Sequence, residues 1–278
     1  MYDAEISRRN PALIIFLIDQ SRSMIRKIGG GTESKAKEAA DAINRQIGEI
    51  ILRSTKNDGV RDYFYISVIG YGGEKGKASF LLDGDVVPIS TLADNPLRTE
   101  KRTMKIPDGM GGLSEVEFEF GVWFEPVANS DTPMVKAMKA AKDIVENWKN
   151  EHENSYPPII INITDGQSTD GDPSKTAKEI IDTLMADGNP MVWNCHISSE
   201  KADPVSFPSS ESDLPNDLYA KLLFNMSSEL PPRYIDYAIE SFPDIKDNAR
   251  AYVFNAQLEQ MIEFINIGTR GALSSAES

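Results

Sequence analysis

Short apolar runs alternate along the chain with longer stretches in which apolar residues recur every three or four positions. Residues 13–18 are apolar throughout, which is typical of a strand buried on both faces of a parallel sheet. Residues 116–122 differ, because apolar and polar side chains alternate there and so indicate a half-buried edge or antiparallel strand. Further strands are predicted at residues 63–69, 79–82, 159–163, 191–197 and 251–254.

Stretches with helical periodicity lie between these runs, and the alternation predicts an α/β fold. Asp131, Thr132 and Pro133 open one helix, because Asp and Thr favour the N-cap and Pro the first helical position. The last helix is expected to end at Gly268, since glycine commonly terminates helices. The predicted helices cover residues 34–54, 131–148, 172–184, 214–226, 234–240 and 258–268.

Residues 83–117 break this regularity, with three prolines and several glycines among them. We interpret them as a β-rich insertion. The sequence shows no internal repeat and no tract with the composition of a linker. Residues 1–278 are therefore predicted to form a single domain that carries this insertion.

Oxygen-bearing side chains gather where two of the predicted strands end. Asp19 ends the first strand, and Asp165 follows the strand at residues 159–163. In an open α/β sheet, ligands bind beyond the carboxyl ends of the strands. Ser21 and Ser23 follow Asp19 at a spacing of two, so both hydroxyls can point the same way, and Thr132 opens a helix. Carboxylates and hydroxyls suit Mg²⁺, Mn²⁺ or Ca²⁺ better than zinc or copper.

The pattern Asp19-x-Ser21-x-Ser23, followed by Thr132 and then Asp165, resembles the metal-ion-dependent adhesion site of the von Willebrand factor A (VWA) family. Arg22 stands where the family has glycine and Asp131 where it has a small residue. The resemblance extends to residues 124–127 and 253–256, and so spans most of the chain. The sequence is similar to bacterial stand-alone proteins of this family, near the tellurium-resistance protein TerY.

This resemblance implies a Rossmann-like, doubly wound, mostly parallel sheet with one antiparallel edge strand and helices on both faces. It also implies that Asp19, Ser21, Ser23, Thr132 and Asp165 hold Mg²⁺, or alternatively Mn²⁺ or Ca²⁺. A partner protein would offer an Asp or Glu carboxylate to the metal, within a multi-protein or signalling complex. The expected function is thus that of a metal-dependent binding module and not of an enzyme.

The net charge and the cysteine content limit the classes of partner that this protein is expected to bind. The 278 residues carry a formal net charge of −14, which disfavours nucleic acids and anionic membranes as partners. The site loop at residues 21–32 is locally basic, with Arg22, Arg26 and Lys27 and no acidic residue. The single cysteine, Cys195, excludes an internal disulfide framework, and we expect no disulfide-linked partner. The free thiol, together with the missing targeting segment, predicts a cytoplasmic location.

An enzymatic alternative uses Asp19 as the nucleophile of a Mg²⁺-dependent phosphatase or phosphotransferase. Enzymes of that kind need a second acid two residues later, and Ser21 stands there. Residues 70–76 are rich in glycine but precede another predicted strand, which favours a hairpin turn over a phosphate-binding loop. Cys195 and His196 are neighbours on a strand, so their side chains point to opposite faces and cannot form a nucleophile–base pair.

Overall fold

A computed structural model describes residues 2–29, 31–107, 112–200 and 203–275. The strands are β1 (Ala12–Asp19), β2 (Thr55–Lys56), β3 (Gly59–Val60), β4 (Phe64–Tyr71), β5 (Ala78–Phe80), β6 (Val87–Pro88), β7 (Arg98–Pro107), β8 (Leu113–Val122), β9 (Ile159–Thr164), β10 (Met191–Ile197), β11 (Val205–Ser206) and β12 (Tyr252–Ala256). The α-helices are α1 (Lys35–Ser54), α2 (Ile89–Asp94), α3 (Met134–Glu151), α4 (Ser174–Ile181), α5 (Leu218–Asn225), α6 (Pro232–Ala238) and α7 (Leu258–Ser275).

The central sheet is mostly parallel, and its strand order is β11-β12-β10-β9-β1-β4-β5, with β6 also pairing to β4. The pairs between β12, β10, β9, β1 and β4 are parallel. Instead of the one antiparallel strand expected, β5 and β6 pair antiparallel with β4, and β11 pairs antiparallel with β12. Residues 72–77 are too few for a crossover connection, so β5 has to run antiparallel, as the predicted hairpin turn requires.

Helices cover both faces of the sheet and divide the core in two. The side chains of Ile14, Phe16 and Ile18 on β1 belong to the core that α1, α2, α6 and α7 share. The alternate residues Leu13, Ile15 and Leu17 belong to the core beneath α3, α4 and α5. This alternation explains why the whole of β1 is apolar up to Asp19, since neither face of the strand meets water.

The stretch predicted to be an insertion, residues 83–117, contains β6, α2, β7 and the first half of β8. Strands β7 and β8 pair antiparallel and form a sheet of their own. The hairpin contacts α1 through Arg102 of β7, which forms hydrogen bonds of 3.1 Å to both carboxylate oxygens of Asp41. The guanidinium of Arg102 also lies 3.6 Å from the centre of the Phe120 ring. The division into one domain with an insertion stays a prediction.

The end of the last helix departs from its prediction. Gly268 lies inside α7, which continues to Ser275. A Cβ atom at Gly268 would lie 3.3 Å from both Ile161 and Trp193. This glycine therefore permits close packing of α7 on the sheet and does not end the helix, which is a role that periodicity alone cannot reveal.

The strand order creates a crevice between β1 and β9. The chain leaves β1 for α1 on one face of the sheet and leaves β9 for α4 on the other face. Adjacent strands whose connections diverge in this way mark the topological switch point, where ligands bind in open α/β sheets.

Among the described residues, no helix is long and apolar enough to cross a bilayer.

Candidate functional site

Asp19 is the last residue of β1, and its side chain is completely buried at the switch point. One carboxylate oxygen, Oδ1, accepts the backbone N–H of Ser21 at 2.8 Å. The other, Oδ2, accepts the hydroxyl of Thr164 at 2.8 Å. Burial raises the pKa of Asp19 to about 6, against the lowering by these hydrogen bonds, and the nearby charge of Asp165 adds to the rise.

Ser21 and Ser23 bring two hydroxyls to the same place. Ser21 is the N-cap of a short 3-10 helix, Arg22–Ile25, which turns the chain directly after β1. The two Oγ atoms lie 3.0 Å apart. Ser23 donates its hydroxyl to Oδ1 of Asp165 at 2.6 Å, and this bond links the loop after β1 to the loop after β9.

Thr132 lies beside these groups and is held by the loop after β9. Its backbone N–H donates to the hydroxyl of Thr169 at 3.0 Å, and its carbonyl oxygen accepts the N–H of Thr169 at 2.9 Å. A Cβ atom at Gly166 would lie 3.9 Å from Thr132 Oγ1 and 4.0 Å from Ser23 Oγ. The two hydroxyls thus lie beside the same glycine.

The start of α3 differs from the predicted cap. The helix begins at Met134, with Pro133 in the cap position, and neither Asp131 nor Thr132 caps it. Asp170 takes that role instead, because its carboxylate accepts the N–H groups of the second and third helical residues, Val135 and Lys136, at 3.0 and 3.1 Å. A residue far away in sequence supplies the cap, which a reading of local pattern cannot find.

Asp165 is paired with a buried lysine. The ammonium of Lys35 lies 2.5 Å from Oδ2 of Asp165, and the two side chains are 5% and 1% exposed. Asp165 therefore has Lys35 on one oxygen and Ser23 on the other. The five residues predicted as metal ligands meet at one place, and Lys35 joins them there.

Sequence reasoning missed Lys35 and Thr164. Thr164 lies two residues after Asn162 on β9, so the two side chains point to the same face of the sheet. Strand alternation could therefore have placed Thr164 on the face to which Asp19 points. For Lys35 the signal is weaker: a lysine at the first position of α1 opposes the helix dipole, which favours acidic residues there. Such a local conflict is a marker of functional positions.

Two departures from the expected motif lie outside this group of side chains. The carboxylate of Asp131 accepts the N–H of Gly76 at 2.9 Å and the hydroxyl of Ser130 at 3.1 Å. The bond from Gly76 lowers the pKa of Asp131. Arg22 is exposed, and its Nε lies 3.5 Å from the carbonyl oxygen of Asn129. Asp131 thus holds the turn after β4 in place, while Arg22 belongs to the basic loop that follows β1.

Cys195 and His196 do not form a catalytic pair. Cys195 is buried in the core, and burial raises the pKa of its thiol. The Nδ1 atom of His196 accepts the N–H of Asn255 at 3.1 Å, and its ring stacks on Phe254 at 4.6 Å. Burial lowers the pKa of His196 to about 4, so the imidazole is neutral at pH 7.

The donor set consists of oxygen atoms alone, which fits a hard divalent cation. Within the part of the chain that the structure describes, no three Asp, Glu, His or Cys side chains come together as a metal cluster. The candidate site offers two carboxylates instead, and its other donors are the hydroxyls of Ser21, Ser23 and Thr132. Burial raises the pKa of Asp19, so its charge is unfavourable where it lies, and Gly166 adjoins the hydroxyls of Ser23 and Thr132.

No model of a known protein family matches the sequence. No curated protein matches it either. Solved structures do match. The pilus adhesin SpaC from Lactobacillus rhamnosus GG is 10% identical, with a TM-score of 0.48, and the match covers 96% of this chain and 31% of that one. Proximal thread matrix protein 1 from the mussel byssus is 11% identical, with a TM-score of 0.43, over 96% of this chain and 48% of that one.

A third match is the vWF domain of the type V pili tip protein Mfa5 from Porphyromonas gingivalis. It is 14% identical, with a TM-score of 0.31, over 57% of this chain and 39% of that one. The chain thus spans less than half the length of each of these three proteins.

These comparisons correct two predictions. Membership of the VWA family as a stand-alone, TerY-like protein is contradicted, because no family model matches and the matching structures include pilins and pilus adhesins. The motifs behind that prediction describe a site, and one site can occur on different proteins. The cytoplasmic location is contradicted by the same pilus proteins. The thiol is a poor guide to compartment here, since Cys195 is buried away from any oxidant.

Proposed function

We propose that this protein is a binding module that uses a divalent cation to hold an acidic side chain of a partner protein. Asp19, Ser21, Ser23, Thr132 and Asp165 would hold the cation, Mg²⁺ or alternatively Mn²⁺ or Ca²⁺. When bound, the cation supplies a Lewis-acidic position for an outside carboxylate oxygen. The observation that carries the proposal is the convergence of three hydroxyls and two buried carboxylates at the switch point.

The protein's own residues prepare this position. The N–H of Ser21 and the hydroxyl of Thr164 fix the orientation of the Asp19 carboxylate. The bond from Ser23 to Asp165 holds the two loops together. Prearranged donors lower the ordering cost of binding, because the loops need not find their positions when the ligand arrives.

The phosphotransfer alternative finds no support in this geometry. In-line attack on a phosphoryl group needs far more room at the carboxylate than a bare cation does, whereas Asp19 is completely buried and both its oxygens accept hydrogen bonds. Ser21, two residues later, cannot act as a carboxylic acid toward a leaving group. We therefore favour binding over catalysis.

Calorimetric titration with MnCl₂ tests whether the protein binds a divalent cation at this site. We expect the wild-type chain to release or absorb heat at a single site, and Ser23→Ala to bind at least about tenfold more weakly, since it removes one donor. Ser130→Ala is the matched control, because the Ser130 hydroxyl donates to Asp131 and not to the site. No binding by the wild type, or equal losses in both variants, would contradict the proposal.

Whether the loaded site binds an outside carboxylate is tested by adding acetate to the Mn²⁺-loaded chain. Water-proton relaxation reports the water molecules on the bound Mn²⁺, so acetate should lower the relaxation rate by displacing one of them. Chloride at the same ionic strength is the control for salt. A relaxation rate that acetate and chloride change equally would leave the site without its proposed ligand.

A further inference from the structure

Lys35 is the one feature of the site that the proposed metal chemistry does not explain. Its side chain is 5% exposed, and burying an ammonium is unfavourable unless it is paired. It is the first residue of α1, where the positive end of the helix dipole opposes a cation. The helix does not need it as a cap either, since the hydroxyl of Ser34 accepts the N–H of Lys37 at 3.2 Å.

The pairing with Asp165 decides the charge of the site. Counted with their ordinary charges, the carboxylates of Asp19 and Asp165 and the ammonium of Lys35 sum to a net charge of −1. A divalent cation would bring this to +1, whereas two carboxylates alone would be neutralised. The ion pair thus leaves the loaded site one positive charge in excess.

We propose that Lys35 acts as a built-in cation that weakens binding of the divalent metal and makes the loaded site select an anionic ligand. This inference rests on the proposed function, which it deepens by naming what sets the preference for a carboxylate. A charge within the buried site acts strongly on both steps, because the effective dielectric there is low. It repels the incoming metal and attracts the incoming carboxylate, so its two effects have opposite signs.

The surroundings of the site agree with an anionic ligand. Arg22, Arg26 and Lys27 are exposed on the loop that follows β1, and that loop holds no acidic residue from 21 to 29. They add a positive potential at the rim, although salt screens exposed charges beyond about 8 Å at physiological ionic strength. Lys35 differs from them, since a buried charge is screened much less.

Replacing the charge while keeping a hydrogen-bond donor tests the inference. Lys35→Gln can still donate to Asp165, and Lys35→Met removes both charge and donor. We expect each variant to bind Mn²⁺ about tenfold more tightly and the loaded variant to bind acetate about tenfold more weakly. Lys35→Arg keeps the charge and should behave like the wild type in both titrations.

Lys37→Gln is the matched control, because it removes the same charge from the same helix. Lys37 is one-third exposed and pairs with Asp41. We expect both of its affinities to stay within about twofold of the wild type. This control separates the local effect of Lys35 from the change in net charge of the chain.

The outcomes separate the inference from the function beneath it. Opposite shifts of the two affinities in Lys35→Gln support the inference, and a role of Lys35 in packing alone would not produce them. If the wild type binds Mn²⁺ and acetate but Lys35→Gln changes neither, or shifts both the same way, the inference is overturned and the function stands. If the wild type binds no Mn²⁺, the proposed function itself fails. Circular dichroism of each variant checks folding, and Lys35→Gln decides if Lys35→Met does not fold.

Discussion

Two groups of buried polar side chains lie on the same face of the sheet and differ in charge. The neutral row consists of Tyr71, Asn162, Asn194 and Ser227, which cross β4, β9 and β10 toward α5. Tyr71 donates to Asn162 at 2.7 Å, Asn162 to Asn194 at 2.9 Å, and Asn194 to Ser227 at 3.0 Å. Ser227 then donates to the carbonyl oxygen of Leu223 at 2.8 Å, so the row ends on the backbone.

The charged cluster, made of Asp19, Asp165 and Lys35, lies next to this row at the carboxyl end of the strands. Asp19 is in register with Tyr71 on β4, and Thr164 is two residues beyond Asn162 on β9. Here two buried carboxylates lie together with a single buried ammonium, which pairs with Asp165. The neutral row is hydrogen-bonded throughout and ends on the backbone, so we expect it to act on stability alone. Under the function proposed above, a further cation would complete the charged cluster.

The largest expected effect is on the neutral row. Asn162→Ala removes one partner each from Tyr71 and Asn194 and leaves a small cavity. The Tyr71 hydroxyl would keep only the carbonyl oxygen of Ile163 at 3.4 Å, and the amide oxygen of Asn194 would lose its donor. Together with the cavity, these losses should lower the free energy of unfolding by about 3 kcal/mol. Urea denaturation measures this, and the loss should be the same with a chelator as with Mn²⁺.

Asn147→Ala on the exposed face of α3 is the control and should leave the free energy of unfolding nearly unchanged. If Asn162→Ala costs no more than this control, the neutral row is not a unit of stability. If its cost depends strongly on Mn²⁺, the row and the charged cluster are not separate.

The second expected effect has the opposite sign. Asp19→Asn should raise the free energy of unfolding of the metal-free chain by about 2 kcal/mol at pH 7.5, because it removes a costly buried charge. With saturating Mn²⁺ the order should reverse, since the wild type gains about 2.7 kcal/mol at a hundred times its Kd and the variant does not. Asp143→Asn, which alters an exposed carboxylate on α3, is the control.

The pH dependence follows from the raised pKa of Asp19. The folded state holds the proton to about pH 6, whereas the ordinary pKa is 3.8. The cost of the buried charge is therefore full above pH 6 and declines as the pH falls toward 4. The stability difference between Asp19→Asn and the wild type in chelator should vanish over that interval. A difference that stays constant from pH 7.5 to pH 4 would show that the buried charge is not its cause.

The smallest expected effect concerns the acidic residue next to the site. Asp131→Asn should change the Mn²⁺ affinity by less than about twofold, because the carboxylate of Asp131 faces Gly76 and Ser130. Calorimetry under the conditions used for Ser23→Ala measures this. A tenfold loss of Mn²⁺ affinity would instead indicate that Asp131 is itself a ligand of the metal.

The sequence predicted the elements that periodicity controls. The apolar run of β1, the helix α1 after it and the strand β9 lie close to the expected residues, because burial on both faces leaves a plain pattern. The glycine-rich residues 70–76 cover the end of β4 and most of the turn of the β4–β5 hairpin, as the strand pattern after the glycines indicated. The errors lie where a contact distant in sequence overrides a local signal, as Gly268 against Trp193 and Asp170 at the start of α3 show.

The sequence by itself determined which oxygen-bearing side chains end the two central strands, since strand pattern and parity place Asp19, Ser21, Ser23 and Asp165 at one edge of the sheet. Only the tertiary structure decided that Lys35 lies against Asp165 and that Thr132 lies beside Gly166 and Ser23. The reason is physical. Which residues follow a strand is a local property, whereas the charge of a buried site depends on every chain segment that packs around it.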